Sequence, residues 1–301
     1  MLLNKMVGPH HPEFVLEKRG SLSLRVARTF AVDLMPYIAP VPDHVFFLPG
    51  CEIIKDQRKI KVARAKFKIQ GELKTIYLKR YNTFSWRNRV GSLFQVSRAL
   101  KSLNGAAILS ESGIRTARPL AAVDSRSWGM LDKSFFLSEE IKDGKTADAY
   151  WRETLLPMKG KEGTRRRKLF LHGIGELFRS LHRQNVYHND LKDANILVCP
   201  DSNAGSEHYY LLDLEGVRRY RRLNRRRQTK NLVQLNRTLG KYLRPTDKLR
   251  FLESYLGPSF SNRIDRRDWI AKVLSRSRRI DRRRHIAVSP IVIPRNASPE
   301  S

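Results

Sequence analysis

The segment His188-Asn189-Asp190-Leu191-Lys192-Asp193-Ala194-Asn195 constrains this chain more than any other feature of it. Apolar runs stand on both sides. Upstream, Phe170, Ile174, Leu177, Phe178 and Leu181 fall at i, i+4, i+7, i+8 and i+11, the stripe of a helix with one apolar face. Downstream, Ile196–Val198 and Tyr210–Leu214 flank the turn-rich stretch Pro200–Ser206, which reads as a β-hairpin. Asp213 follows Asn195 by eighteen residues, and Gly216 lies three beyond it. Taken singly, Asp190 is an ordinary cap or turn residue and Asn195 an ordinary turn former. Taken in this order, two carboxylates and a carboxamide are hard oxygen donors of the kind that hold Mg²⁺ on phosphate.

The rest of the chain supplies the elements around that loop. Val45 to Tyr81 is strand-like, with Ile60–Val62 and Ile76–Leu78 among charges and with Gly50 and Gly71 as punctuation. Trp86 to Ser112 predicts a helix, stopped by Gly113. A further strand is predicted across Ser134–Ile141, and helices across Leu232–Leu243 and Lys248–Leu256. Strands first and helices later predict an α+β fold of two lobes, a small β-rich one and a mainly helical one. The boundaries drawn are an N-terminal extension over 1–40, lobes over 41–138 and 139–258, and a basic tail over 259–301. The tail is expected to be helical around Trp269–Leu274 and disordered over Ser289–Ser301.

Charge narrows the partners. Lys and Arg number 59 against 29 acids, a formal net charge of +30 in 301 residues. Such an excess repels itself unless an anion is near, whether nucleic acid, a membrane surface, or a phosphorylated or carboxylated substrate. No nucleic-acid module or basic–aromatic motif is present, so nucleic acid is the disfavoured partner. No run approaches the ~20 apolar residues of a membrane span. Met1 to Gly20 carries charges and prolines where a signal peptide has its apolar region, and Cys51 and Cys199 match no metal or redox spacing. A cytoplasmic protein, peripheral to the inner face of a membrane, is expected.

The polar loop fits the H-R-D-L-x-x-x-N catalytic loop of protein kinases, with Asn189 in place of the Arg. In that pattern Asp190 reaches an acceptor hydroxyl and Asn195 turns back to hold a metal on the phosphates. Lys79, at the end of the apolar strand Thr75–Arg80, is placed to pair with nucleotide phosphates. Lys192 is a second candidate to neutralise the transferred phosphate. Alone, either lysine reads as a solvated charge.

With the loop, the Asp213-Leu214-Glu215-Gly216 segment, the stretch Gly113–Leu120, Tyr77–Tyr81 and Asn231–Asn236 together, the chain resembles the lipopolysaccharide kinase (Kdo/WaaP) family over roughly 45–256. The resemblance implies a protein-kinase-like fold and transfer of phosphate from ATP to a sugar hydroxyl of the lipopolysaccharide inner core, at the cytoplasmic face of a Gram-negative inner membrane. It implies that Asp190 is the catalytic base, that Asn195 and Asp213 hold Mg²⁺, and that Lys79 binds the α- and β-phosphates. Glu139, Glu140 and Ile141 would connect the lobes where adenine docks on backbone groups.

Three departures stand against a simple kinase. The region Cys51–Val62 contains no glycine, so no glycine-rich phosphate loop is present; Lys55, Arg58 and Lys59 are expected to compensate by charge. Between Trp86 and Gly113 the only acid is Glu111, so either Glu111 pairs with Lys79, or the lysine is held differently, or the protein is a pseudokinase. After Asp213, seven arginines fall between Arg218 and Arg227 and no Ala-Pro-Glu follows, which favours a non-protein acceptor. Arg218, Arg219, Arg221 and Arg222 read either as a clamp for its phosphate or carboxylate groups or as a solvated basic face that keeps the protein near anionic lipid, and the two are compatible. The alternatives are a kinase of another small molecule, a pseudokinase, and a basic nucleic-acid-binding protein.

Overall fold

The structure is a computed structural model that describes residues 13–201 and 206–288. Its first elements fall where an extension was expected. β1 (Phe14–Arg19) and β2 (Leu22–Ala27) pair antiparallel, and α1 (Ala31–Ile38) packs beside them. Leu22, Leu24 and Val26 alternate inward along β2, and Leu34 and Ile38 of α1 join the same core. Residues 14–38 are thus built into the first lobe. The period-2 signal that places them is only three residues long, short enough to be lost among charges.

The strand-like stretch from Val45 resolves more finely. Pro42–Phe47 forms a 3₁₀ turn, followed by β3 (Glu52–Gln57), β4 (Ile60–Ile69) and β5 (Glu72–Asn82). The single helix predicted over Trp86–Ser112 is two, α2 (Trp86–Gly91) and α3 (Arg98–Glu111). Ser85 caps the start of α2, accepting from Asn88 N–H, and Ser97 starts α3 afresh inside the predicted span, accepting from Leu100 N–H, each at 3.1 Å. Gly113, at φ 66°, ends α3 as expected. β6 (Pro119–Ser127) and β7 (Met130–Glu139) complete a seven-stranded antiparallel sheet in the order β1-β2-β6-β7-β5-β4-β3.

After β8 (Lys145–Thr146) and the short α4 (Ala147–Ala149), a π-helical turn leads to α5 (Gly160–Arg183). The stripe read from sequence is the buried face of α5: Phe170, Ile174, Phe178 and Leu181 are fully buried, with Trp151 against Phe170. β9 (Val186–His188) leads into the polar loop, β10 (Ile196–Pro200) and β11 (Glu207–Leu211) form the predicted hairpin, and β12 (Val217–Arg219) pairs back on β9. The helices α6 (Arg225–Arg237), α7 (Pro245–Leu256) and α8 (Arg263–Val288) close the second lobe. The architecture is the α+β, two-lobed one expected.

α8 departs from the expected tail. Trp269 is 5 % exposed in the lobe's core, edge-on to Tyr255. Asp265 and Asp281 pair with Arg225 at 2.6 Å and Arg237 at 2.8 Å of α6. An arginine-rich helix is held because its few acids answer the arginines of its neighbour. Ser289–Ser301, expected to be disordered, lies outside the described residues.

α3 spans both lobes. Ala99 and Leu103 pack with Tyr81, Ala122 and Phe136 of the sheet, and Ile108 and Leu109 enter the core of the helical lobe. Gly105 makes this possible: a Cβ there would lie 2.2 Å from the Leu214 carbonyl oxygen. The segment bearing Asp213 is thereby pressed against the helix.

Candidate active site

The polar loop His188–Asn195 hangs between β9 and α6 on side-chain hydrogen bonds. His188 is fully buried; its Nε2–H donates to the Leu212 carbonyl at 2.8 Å and its Nδ1 accepts from the Asp190 amide at 3.2 Å. Those two bonds require a neutral ring, and burial lowers the imidazole pKa in the same direction. From α6, Asn231 Nδ2 donates to the His188 carbonyl at 2.6 Å. Gln234 donates to the Asn189 carbonyl at 2.8 Å and accepts from Leu191 N–H at 3.2 Å. The Asn231–Asn236 stretch thus has a physical role: two carboxamides satisfy the backbone of a loop that makes no ladder of its own.

Five of the expected residues converge there. Asp190 accepts from Lys192 Nζ at 2.7 Å, and Asn195 Nδ2 donates to the Asp190 carbonyl at 2.7 Å and its carboxylate at 3.3 Å. Lys79 Nζ meets Asp213 Oδ1 at 2.5 Å, joining the sheet to the segment after β11. Burial alone would raise the Asp213 pKa, yet the Lys79 ammonium outweighs it and the net shift is downward. Burial likewise opposes the charge on Lys79, but neighbouring Tyr81 and Asp213 raise its pKa overall. Asp213 adopts φ 60°, ψ 57°, a left-handed conformation that costs a non-glycine residue on the order of 1–3 kcal/mol.

These groups open onto a cleft of about 570 Å³ between the lobes. Lys55 and Val62 form its roof, Glu139 and Ile141 its back and Leu197 its floor, while Lys79, Lys192, Asn195 and Asp213 line the polar end. Glu140 turns away and binds Arg64 at 2.7 Å. The amides of Glu139 and Glu140 are already given to the carbonyls of Arg118 and Thr75, each at 3.0 Å. The cleft's dimensions and its apolar faces suit a nucleoside, with the polar end toward the phosphates. No group of three or more His, Cys, Asp or Glu is gathered among the described residues. The oxygens of Asn195 and Asp213 nevertheless suit a hard cation that takes its remaining ligands from phosphate and water.

Of the readings left open for Lys79, the structure has the lysine held differently, on Asp213 and not on Glu111. Glu111 pairs with Arg219 at 2.6 Å, at the far end of α3 from the cleft. The ion pair that ties α3 to the site has the opposite polarity. Arg98, on its first turn, holds both oxygens of Glu215 at 2.7 Å, and stacks its guanidinium over Tyr81. The signal available in the sequence was the cation at the start of α3 and the Glu of Asp-Leu-Glu-Gly, read together.

The arginines separate in role. Arg219 also donates to the Ile108 carbonyl and Ser112 hydroxyl, capping α3, so its guanidinium is engaged within the fold. Arg218 gives Nη1 to the carbonyls of Glu215 at 3.1 Å and Val217 at 2.9 Å, and Arg221 and Arg222 are exposed beyond β12. Of the three residues at the tip of the sheet, Lys55 faces the nucleotide-sized cleft, whereas Arg58 and Lys59 face a second, basic cavity.

The profile of the lipopolysaccharide kinase (Kdo/WaaP) family matches residues 54–255. A solved structure of WaaP in complex with acyl carrier protein shares the fold, with a TM-score of 0.61 and 18% identity, over 82% of this chain and 95% of that one. None of the curated proteins matches by sequence.

Proposed function

The chain belongs to the lipopolysaccharide kinase (Kdo/WaaP) family, and from that premise we propose that it transfers the γ-phosphate of ATP to a sugar hydroxyl of the lipopolysaccharide inner core, on Kdo or heptose. The observation that carries the reading is the Lys79–Asp213 pair, set in one cleft with Asn195 and Lys192 and beside Asp190. In the proposed step the acceptor oxygen forms a bond to Pγ as the bond from Pγ to the β-phosphate oxygen breaks, and ADP leaves with that electron pair. The acceptor proton passes to the Asp190 carboxylate. Lys192 and Lys79 offset negative charge on the transferred group and on the α- and β-phosphates. Asn195 and Asp213 would hold Mg²⁺, which supplies charge neutralisation on the phosphate oxygens. Adenine would lie against Glu139 and Ile141, with Lys55 above.

Among the described residues no helix is long and apolar enough to cross a membrane. A net charge of +30 supports residence at an anionic membrane face, where the acceptor is presented. The test is ADP release with Mg²⁺, ATP and purified lipopolysaccharide core, for wild type and Asp190→Ala. Acceptor-dependent turnover lost by about 10²-fold or more in the variant, with nucleotide binding kept, is the expected result. Nucleotide binding without turnover on any core acceptor would identify a pseudokinase and sink the proposal.

A second reading concerns a partner. A cavity of about 490 Å³ lies among α5, α6, α7 and α8, walled by Leu171, Leu235, Leu252, Trp269 and Leu274. The solved WaaP structure is a complex with acyl carrier protein, and this apolar cavity supports an acyl-bearing carrier as a partner here. Titration with purified carrier protein should show tighter binding when it is acylated; equal affinity for the unacylated form removes the reading.

A further inference from the structure

On the other side of the catalytic loop from the nucleotide-sized cleft lies a larger cavity of about 940 Å³. The two meet along the chain. Asn189 lines the basic cavity and Lys192 the cleft, with Asp190 between them; Asp213 and Leu214 line the cleft, and Glu215 and Gly216 the cavity. The basic cavity thus adjoins the loop at Asn189, the chain neighbour of Asp190, and is separate from the cleft.

The lining is strongly one-signed. Arg58, Lys59, Arg87, Arg98, Lys101 and Arg218 face it against a single acid, Glu215, and Arg98 already occupies both oxygens of that acid. Lys101 is half-buried on α3 and makes no ion pair among the described residues. Burial lowers its pKa, and Arg218 lowers it further, against a weaker opposing effect of Glu215. A solvated basic face would let such charges spread into water. Here they are gathered on the walls of a concavity, where they raise the local concentration of an anion. Tyr187 and Tyr220, edge-on to one another, also line the cavity, with Lys230 and Arg227 over their rings.

We propose that this cavity is the acceptor subsite, and that Lys101 with Arg218 recognises an anionic substituent, a sugar carboxylate or a phosphate ester, close to the hydroxyl that receives phosphate. Its role as an acceptor subsite rests on the kinase reading above; its capacity to bind the anionic sugar does not. Arg98, fixed on Glu215, shapes the wall, and Arg58 and Lys59 at the tip of the sheet close it from above.

The test is a calorimetric titration of the full chain with deacylated inner-core oligosaccharide, untreated, carboxyl-reduced or dephosphorylated. Lys101→Met should weaken binding of the untreated sugar about tenfold, and Lys101→Glu up to about a hundredfold. Affinity for Mg·ATP and the melting temperature should stay unchanged. The treatment that removes the dependence on Lys101 identifies whether carboxylate or phosphate is read. Equal oligosaccharide affinity in wild type and Lys101→Glu overturns the inference. So does an equal loss of nucleotide affinity, and so does failure of the wild type to bind any form of the sugar. Lys101-dependent binding without phosphotransfer would overturn the kinase reading and leave the subsite standing; phosphotransfer indifferent to Lys101 would do the reverse.

Discussion

Replacing Gly105 by alanine separates stability from chemistry in this fold. An alanine in a helix interior is better than glycine by up to ~1 kcal/mol. Against that, the new Cβ would stand 2.2 Å from the Leu214 carbonyl oxygen and 3.1 Å from its carbonyl carbon and Cβ. Relief needs a displacement of about 1 Å of either α3 or Leu214, and overpacking of this kind costs about 1–3 kcal/mol. The net loss of stability is therefore small, about 0–2 kcal/mol. The chemical loss is larger. Asp213 is bonded to Leu214 and sits in a strained left-handed conformation, so it moves with that carbonyl. A misplacement of about 1 Å is worth on the order of 10² in rate. Urea denaturation paired with ADP release on a core acceptor should show Gly105→Ala folded and nearly as stable as wild type, with turnover reduced about a hundredfold. Gly91→Ala is the stability control, since its Cβ meets nothing nearer than the Gln95 side chain at 3.9 Å. A Gly105→Ala protein more stable than wild type and fully active would refute the reasoning, because α3 would then not be what positions Asp213.

Three further outcomes follow from named contacts. Arg98→Ala and Glu215→Gln should each lower turnover, and a double-mutant cycle on stability should give a coupling of about 1 kcal/mol for this part-exposed pair; strict additivity would show that the bidentate contact carries nothing. His182 is held neutral, its pKa lowered to about 4 by burial, with bonds to Tyr255 at 2.9 Å and Asn231 at 3.2 Å. The unfolded ring takes a proton below about 6.5, so its contribution is complete above that pH and is lost as pH falls toward 4, by up to about 3 kcal/mol. His182→Gln should flatten the fall in melting temperature across that window, and an unchanged slope would assign the acid sensitivity elsewhere. Trp269→Ala should cost about 3–5 kcal/mol by denaturant unfolding, and a cost under 1 kcal/mol would mean that α8 is not part of the core.

What was legible in the sequence is what lies close together in it. His188 to Asn195 is one loop, and Asp213 follows across one hairpin, so the spacing itself carries the chemistry. Lys79 could be read from a strand end. The supports of the loop could not. Asn231 and Gln234 bond a backbone more than forty residues upstream of them. Arg98 and Glu215 are separated by 117 residues. The strands β1 and β2, and the full length of the helix α8 that was expected only around Trp269–Leu274, were hidden for a different reason. Each is short in apolar signal and is fixed by neighbours, the sheet edge of β6 for β2 and the arginines of α6 for α8. Local pattern gives way to tertiary context in both.

The missing helical acid and the missing glycines then have one explanation. If an acid on α3 were needed to hold Lys79, the absence of one would leave the lysine adrift and the helix unanchored. Lys79 instead rests on Asp213, and α3 is anchored by Arg98 on Glu215, two residues further along the same segment. Both contacts converge on Asp213–Gly216, so the segment that would carry the metal also sets the register of the helix. The sheet tip follows the same logic. Without glycine the turn at Arg58 and Lys59 has no special freedom to wrap its amides over phosphate, and its charged side chains are turned instead toward the basic cavity. Positive charge is thereby moved from the nucleotide side of Asp190 to the side where an anionic acceptor would enter, which is where the large net charge of the chain finds a use.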